Sequence, residues 1–229
     1  MCREDQGLDL VLPEHLSLSD RILKVIEKGI LSGAIKPGER IIETELAKTL
    51  GTSKSPVREA LKKLEGEGIV QLVPRKGYLV RNIDRKSIDD FFDIMFVMET
   101  AAARMSLRKK DQMVCKELDS FIGRMEKKLT EKDYEAYLVL NDLFHMYFYT
   151  LIDNEWATKV SQMLRKQAEM LRSLSLYTRD RFEPSVQEHR AIVEAYKKGD
   201  EVRLVKAVEN HLLRFKENIL NSDFIRENL

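Results

Sequence analysis

The stretch from residue 41 to residue 80, IIETELAKTLGTSKSPVREALKKLEGEGIVQLVPRKGYLV, restricts the folds open to this chain more than any other. Residues 43–50 have the length and composition of a short helix, closed by Gly51. Residues 54–66 follow as a second helix, with Val57, Leu61 and Leu64 facing inward and Pro56 in the first turn, where a missing N–H costs nothing. Gly66 and Gly68 stop it. Two short β-branched runs come next, residues 69–73 and 78–80, joined by Pro74-Arg75-Lys76-Gly77 as a hairpin tip. Helix, glycine turn, helix and two-stranded ribbon, in that order, make a winged helix-turn-helix.

Charge agrees with that reading once the chain is divided. The net charge of +1 averages two unlike parts. Residues 18–82 hold 13 Lys/Arg against 8 Asp/Glu, an excess of +5, whereas residues 83–229 hold 25 against 26, or −1. A cationic amino-terminal part suits phosphate neutralisation and predicts salt-sensitive binding. Hydrophobic content of 43% with 34% charged residues is that of a water-soluble globular protein. No apolar run is long enough to span a bilayer. The opening MCREDQGLDL has acids where a secretory leader has a basic region and an apolar core, and Cys2 and Cys115 do not form a disulfide framework. A cytoplasmic location and no membrane partner are therefore expected.

Within the head, a recognition helix places its first residues near base edges while turn and wing hold phosphates. Ser53, Lys54 and Ser55 stand at the amino end of the second helix, where free backbone N–H groups favour anions. Arg58 is one turn on and is the candidate for a bidentate contact to guanine. The competing assignment is an ion pair with Glu59 or Glu65. Lys62 follows on the same face, and Thr44 begins the preceding helix; both are candidate phosphate contacts. Arg75 and Lys76 at the wing tip are candidates for the minor groove, with Gly77 permitting the tight turn.

The run from residue 33 to residue 80 resembles the GntR family of bacterial transcription regulators. Pro37-Gly38, Glu45-Leu46-Ala47, Pro56-Val57-Arg58-Glu59-Ala60-Leu61, Glu67-Gly68 and Gly77 carry the likeness. The resemblance implies operator binding through Thr44, Lys54, Arg58 and the wing around Gly77. Lys54 stands where many members carry arginine, and lysine lacks the planar fork.

An earlier helix spans residues 18–32, with Ile22, Ile26 and Ile30 on one face and Ser19 and Asp20 as its candidate caps. Residues 82–86 read as a polar connector. Beyond Ser87, glycine and proline are scarce and helical spacing dominates. Six helices are expected near 87–108, 111–131, 133–152, 154–176, 184–198 and 200–222, with Asp111, Asp133, Asn154 and Asp200 as caps, Gly199 as a stop and a mobile loop at 178–183. The expected fold is mainly α: an amino-terminal extension (1–17), a winged helix-turn-helix (18–82) and an all-α six-helix bundle (83–229) for effector binding and dimerisation.

Three of the four histidines fall on apolar stripes of that bundle. His145 lies among Leu138, Phe144, Phe148 and Leu151, with Asn141 one turn earlier; His189 lies with Val186, Ile192, Val193 and Tyr196; His211 lies with Leu204, Val208, Leu212, Phe215 and Ile219. His15 stands outside the bundle. A buried imidazole needs partners for both nitrogens. One such histidine is most simply a hydrogen-bonded core residue; three from three helices point to convergence on a metal, as helix-bundle cores commonly arrange.

The segments NDLFH (141–145), EHRAIVEAY (188–196), Gly199-Asp200 and AVENH (207–211) resemble the FCD ligand-binding domain of the FadR-type branch of the GntR family. The resemblance implies a carboxylate and three histidines around a divalent ion. The histidines carry over to His145, His189 and His211, and the carboxylate position falls on Asn141, whose amide oxygen is a neutral and weaker ligand. Zinc or nickel is the expected cofactor, with manganese and iron still open. Glu99 fits the family pattern in the first bundle helix. Phe96 stands where an arginine is common, which implies a pocket for a less acidic or more apolar ligand unless Arg165 and Arg172 on a later helix substitute in meeting an organic-acid effector. Tyr134, Tyr137, Tyr147 and Tyr177 are candidate pocket residues that core packing explains equally well.

The reading is a metabolite-responsive transcription regulator that binds operator DNA as a homodimer, with an effector, an organic acid or related metabolite, at a metal site in the bundle. Two rivals remain at this stage. One is a DNA-binding regulator whose bundle serves dimerisation or binds a ligand without metal. The other is a metal-dependent helical enzyme with a DNA-binding head. Against the enzyme, the sequence offers no general base beside the histidines, since Glu188 adjoins His189 and successive helix positions point apart.

Overall fold

A computed structural model describes residues 17–81, 84–174 and 181–222. The chain divides into two compact units, residues 1–83 and 84–229.

In the first unit, α1 (Leu18–Leu31) buries Ile22, Ile26 and Ile30, spaced one turn apart, and packs on α3 (Lys54–Gly66). The cap of α1 is Ser17, whose Oγ accepts from the Asp20 N–H at 3.1 Å. Ser19 and Asp20, expected as caps, are already helical: the cap must precede the first helical φ/ψ pair, and the pattern was read one turn late. Helix α2 (Glu43–Thr49) contributes Ala47 to the core, and α3 contributes Val57, Ala60, Leu61 and Leu64. Gly51, just beyond α2, takes φ +62°, which lets the chain reverse between the two helices without a β-carbon penalty.

The wing has three strands where the sequence suggested two. Strands β2 (Val70–Val73) and β3 (Gly77–Val80) form the hairpin, in register from Val70 opposite Val80 to Val73 opposite Gly77. Strand β1 (Arg40–Ile41) pairs antiparallel on the other side of β3, giving the order β1-β3-β2. Two residues carry no alternation to read, so β1 had no signal of its own. At the hairpin tip Arg75 and Gly77 take φ +64° and +83°; Gly77 relieves one of the two left-handed positions.

The second unit is a bundle of α4 (Arg85–Ser106), α5 (Gln112–Thr130), α6 (Tyr134–Ile152), α7 (Glu155–Leu174), α8 (Phe182–Lys198) and α9 (Glu201–Leu220), with a 3₁₀ turn at Leu107–Lys109. Asp111, Asp133 and Asp200 cap their helices by accepting from Val114, Ala136 and Arg203 N–H, and Asn154 Oδ1 accepts from Ala157 N–H. Gly199 ends α8 at φ +68°. Helix α4 packs on α9 and α6, α8 packs on α9 and α5, and α6 lies between α5 and α7. Aromatic pairs tie these seams: Phe92 to Phe215 at 5.3 Å, Phe121 to Phe144 at 6.1 Å and Phe148 to Tyr196 at 5.8 Å between centroids.

Two boundaries differ from expectation. Arg85 and Lys86, read as connector, are the first turn of α4, because Asp84 and Ser87 form a reciprocal capping box. Phe182 and Glu183, read as part of a mobile loop, open α8; residues 178–180 of that loop lie outside the described residues, as do Asn82, His15 and Tyr177.

Leu61 is fully buried at the α1–α3 seam. Leu61→Ala should lower the unfolding free energy of the head by about 3 kcal/mol in urea melts, from lost transfer energy plus a residual cavity.

Candidate functional site

Helix α3 presents an exposed basic row. Lys54, Arg58 and Lys62, four residues apart, all lie on its solvent side. Ser53 occupies the N-cap position without a side-chain cap bond, and Ser55 is exposed in the first turn. Thr44 is exposed on α2, and Arg75 and Lys76 are exposed at the hairpin tip beside Gly77. Arg58 pairs with neither Glu59 nor Glu65. Its guanidinium lies against the Glu43 carboxylate of α2, with Nη2 donating to Oε2 at 2.8 Å.

The bundle core holds the second constellation. His145 on α6, His189 on α8 and His211 on α9 are all buried, and one ring nitrogen of each lies within 4.8 Å of those of the others. Among the described residues this is the one group of three or more His, Cys, Asp or Glu so arranged. His145 and His189 face each other Nε2 to Nε2 at 3.2 Å. The His145 and His211 rings stack at 5.1 Å, and His189 and His211 stand 4.4 Å apart.

Each outer imidazole is held from behind by a carboxylate. His145 Nδ1 meets Glu99 Oε2 of α4 at 2.9 Å, and His211 Nδ1 meets Glu188 Oε2 of α8 at 2.8 Å. Both carboxylates also take an arginine: Glu99 Oε1 accepts from Arg165 Nη2 of α7, and Glu188 Oε2 accepts from Arg181 Nη2 at 2.6 Å. Tyr149 donates to Glu99 at 3.3 Å. The result is two polar chains in an apolar interior, Arg165–Glu99–His145–His189 and His211–Glu188–Arg181, brought side by side where the His189 and His211 rings stand 4.4 Å apart.

Burial, followed by the positive charge of Arg165, holds His145 well below its usual pKa; burial and the neighbouring imidazoles do the same to His189. Burial also lowers His211, against the opposing pull of Glu188. For Glu188, burial works upward, but hydrogen bonds from His211 and Arg181 outweigh it and the carboxyl sits below its ordinary value. All three imidazoles are thus neutral near pH 7, the form that offers a lone pair. Carboxylates on Nδ1 fix two of them with Nε2 turned inward, the arrangement that orients histidines toward metal ions. Ligand nitrogens sharing one ion at about 2.1 Å stand roughly 3.0–3.4 Å apart, and 3.2 Å falls inside that range. The His145–His189 separation and the three imidazole donors fit a divalent metal ion.

Asn141 is buried on α6 one turn before His145, and its Nδ2 donates to Asp142 Oδ1 at 3.1 Å, leaving its carbonyl oxygen as the atom for a ligand. Asp142 turns to α7, where Arg172 donates to both carboxylate oxygens at 2.9 Å. Three of the expected tyrosines are packing residues: Tyr134 stacks on Phe182 at 4.9 Å, Tyr137 meets the same ring edge-on at 5.0 Å, and Tyr147 lies 5.7 Å from Phe121.

The structure corrects the sequence reading of Glu188. It does turn away from His189, as neighbouring helix positions must, yet that turn brings it onto His211 of the next helix. With Glu99 it gives the histidines two carboxylate neighbours where none was expected. Arg181 and Ser185 were missed altogether. With His189 they form a buried row at four-residue intervals along α8 and its N-cap, and each has a buried polar atom without a partner among the described residues: Arg181 Nε and Nη1, Ser185 Oγ and His189 Nδ1. Arg165 Nε is in the same condition. The i, i+4, i+8 spacing was legible; Arg181 was passed over because it sat in a supposed loop.

Comparison with known proteins matches both units. Residues 18–80 match the family described as bacterial regulatory proteins, gntR family, and residues 90–214 match the FCD domain. The chain belongs to the gntR family of bacterial regulatory proteins and carries an FCD domain. This regulator is 29% identical over 212 residues to the HTH-type transcriptional regulator YdhC of Bacillus subtilis (strain 168), covering 92% of this chain and 91% of that one. It is 27% identical to the gluconate operon transcriptional repressor of Bacillus licheniformis, covering 90% of this chain and 88% of the relative. Among solved structures, Escherichia coli McbR/YncC superposes with a TM-score of 0.68 at 19% identity, covering 87% of this chain and 95% of that one, which shows a shared fold. The chain is a transcription regulator, as its named relatives are.

The Glu99 carboxylate is buried between Arg165 and His145. Glu99→Ala strands both partners, so metal-free protein should lose about 3 kcal/mol in chemical denaturation, the scale for breaking a buried pair from one side.

Proposed function

We propose that this regulator binds operator duplexes as a homodimer, reads bases from α3, and responds to a carboxylate-bearing metabolite bound beside a metal ion in the FCD domain. The observation that carries the sensor half is the convergence of three buried, neutral imidazoles whose outer members are braced by Glu99 and Glu188. His145, His189, His211 and the Asn141 carbonyl are the proposed ligands. A divalent ion held there would supply a Lewis-acidic contact for an effector oxygen.

The partnerless donors support an acidic effector. Among the described residues, Arg165 Nε, Arg181 Nε and Nη1 and Ser185 Oγ are buried without acceptors, and orphaned buried donors cost free energy until something accepts from them. A carboxylate beside the imidazoles answers that demand. The relative named for a gluconate operon is consistent with sugar acids as the class to test first. Effector and operator then influence each other by one shared coupling energy. A two-fold dimer suits a near-palindromic operator, and exposed Ile94 and Val97 on α4 offer apolar surface for a second copy. The proposed location is the cytoplasm; no described helix is long and apolar enough to cross a membrane.

A metal-free sensor is the second reading, favoured by one observation: His145 and His189 satisfy each other directly at 3.2 Å. Elemental analysis of protein purified without chelator separates the two. We expect about one transition ion per chain, lost in His189→Ala, and a fall of roughly 3–4 kcal/mol in stability on chelation, the linkage expected for a site several hundred-fold saturated. Metal-free wild-type protein with chelator-insensitive stability overturns the metal.

The head has its own test. On a duplex selected by the wild-type protein from a randomised pool, Arg58→Ala should weaken binding about tenfold or more and relax one base position. Lys62→Ala should weaken all duplexes alike and reduce the salt slope by about one.

A further inference from the structure

We infer that Glu43 is a positioning residue for base recognition: its carboxylate holds the Arg58 guanidinium with one edge free to meet a guanine. The inference rests on the reading that the head engages duplex DNA through α3. Glu43 is the first residue of α2 and Arg58 lies in the second turn of α3, so the contact joins the two helices of the DNA-reading motif itself. Arg58 Nε donates to Glu43 Oε1 at 3.2 Å and Oε2 at 3.1 Å, and Nη2 donates to Oε2 at 2.8 Å.

The pair is solvated, with side chains 54% and 24% exposed. Exposed ion pairs contribute little to stability, so the fold does not need this one. The stability of α2 against α3 comes from buried Ala47, Val57, Ala60 and Leu61. What the pair does fix is direction. A guanidinium has five N–H groups. Glu43 occupies the Nε edge and one hydrogen of Nη2. Both hydrogens of Nη1 and the second of Nη2 stay free, and those two nitrogens form the fork that matches guanine O6 and N7.

Two consequences follow for binding. An arginine already held in one direction has less conformational freedom to lose when DNA arrives. The adjacent negative charge also offsets the cation and repels phosphate, so Arg58 contributes less to sequence-independent attraction. Glu43 therefore favours discrimination over affinity. The sequence hid this contact because the two residues lie fifteen positions apart in different helices.

The test uses full-length wild type, Glu43→Gln, Arg58→Ala and the double variant. Each is used to select from a randomised duplex pool with fixed flanks, and each is titrated against one scrambled duplex. Glu43→Gln is nearly isosteric at an exposed site and should fold as wild type does, checked by circular dichroism. We expect the wild type to enrich one base at a position that Arg58→Ala leaves random. Glu43→Gln should lose about three- to tenfold of the preference at that same position and at no other, a fraction of what a bidentate arginine–guanine pair provides. It should bind the scrambled duplex more tightly at low salt, and the double variant should match Arg58→Ala at that position. Full preference retained in Glu43→Gln overturns the inference, as does an equal loss at every position or a base pattern indifferent to Arg58. If the wild type enriches no sequence, the DNA reading falls and takes this inference with it; enrichment by wild type with an unchanged Glu43→Gln pattern overturns the inference alone.

Discussion

Burying three imidazoles in one apolar core imposes the constraint from which the rest of the FCD domain follows. Each ring carries two nitrogens that lose water on burial, and each lost partner must be replaced inside the protein. Two of the six nitrogens are met by carboxylates, and the carboxylates in turn need cations because an unpaired buried charge is costlier still. That demand places Glu99 and Arg165 on α4 and α7, Glu188 on α8 and Arg181 at the N-cap of α8. Helices α4, α6, α7, α8 and α9 are thereby tied by directional bonds as well as by the aromatic seams around Phe92, Phe144 and Phe148. Apolar packing alone would tolerate small slippage between these helices. The carboxylate contacts, 2.6–2.9 Å long, would not.

The head obeys a different economy. Its apolar core is small and wholly aliphatic apart from Tyr78, and none of its described charged residues is fully buried. Lys54, Arg58 and Lys62 share one solvent-facing row because a four-residue interval returns to the same face, while Val57, Leu61 and Leu64 occupy the opposite face by the same geometry. One helix thus supplies both core and the proposed reading surface. Solvation keeps the cations available to phosphate, and the first-turn N–H groups beside Ser53 add to the attraction. Among the described residues, only Arg58 in that row is engaged by a neighbouring carboxylate, and it is the residue proposed for base readout.

Much of this was legible in the sequence, for identifiable reasons. Helix extents came from apolar spacing, and Asp111, Asp133, Asn154 and Asp200 marked four starts because a short polar acceptor before an apolar run has one common use. The three histidines could be grouped because each stood alone on an apolar stripe. Pairings across helices were not legible. Glu99 with His145 spans 46 residues and Glu43 with Arg58 spans 15, and no local pattern encodes either. Arg181 was lost to a boundary error: a loop assigned over the first turn of α8 removed it from the row it shares with Ser185 and His189. Strand β1 was too short to alternate. What the sequence conveyed was periodicity within elements, and what it withheld was the choice of partner between them.

Asn141 gains significance from the charge balance of this core. Among the described residues, Arg165, Arg172 and Arg181 face Glu99, Asp142 and Glu188, three cations against three anions, with the three imidazoles neutral. The metal-free interior is therefore balanced. A divalent ion among the histidines would add two positive charges, and a carboxylate at position 141 would have offset one of them. The amide offsets none, so the excess must be answered by something that enters with or after the ion. The proposed organic acid would answer it, and would also meet the donors of Arg165, Arg181 and Ser185 that lack an acceptor among the described residues. On this argument ion and acid each raise the affinity of the core for the other. The substitution that looks like a weakened metal ligand in the sequence then makes the site more dependent on an anionic effector.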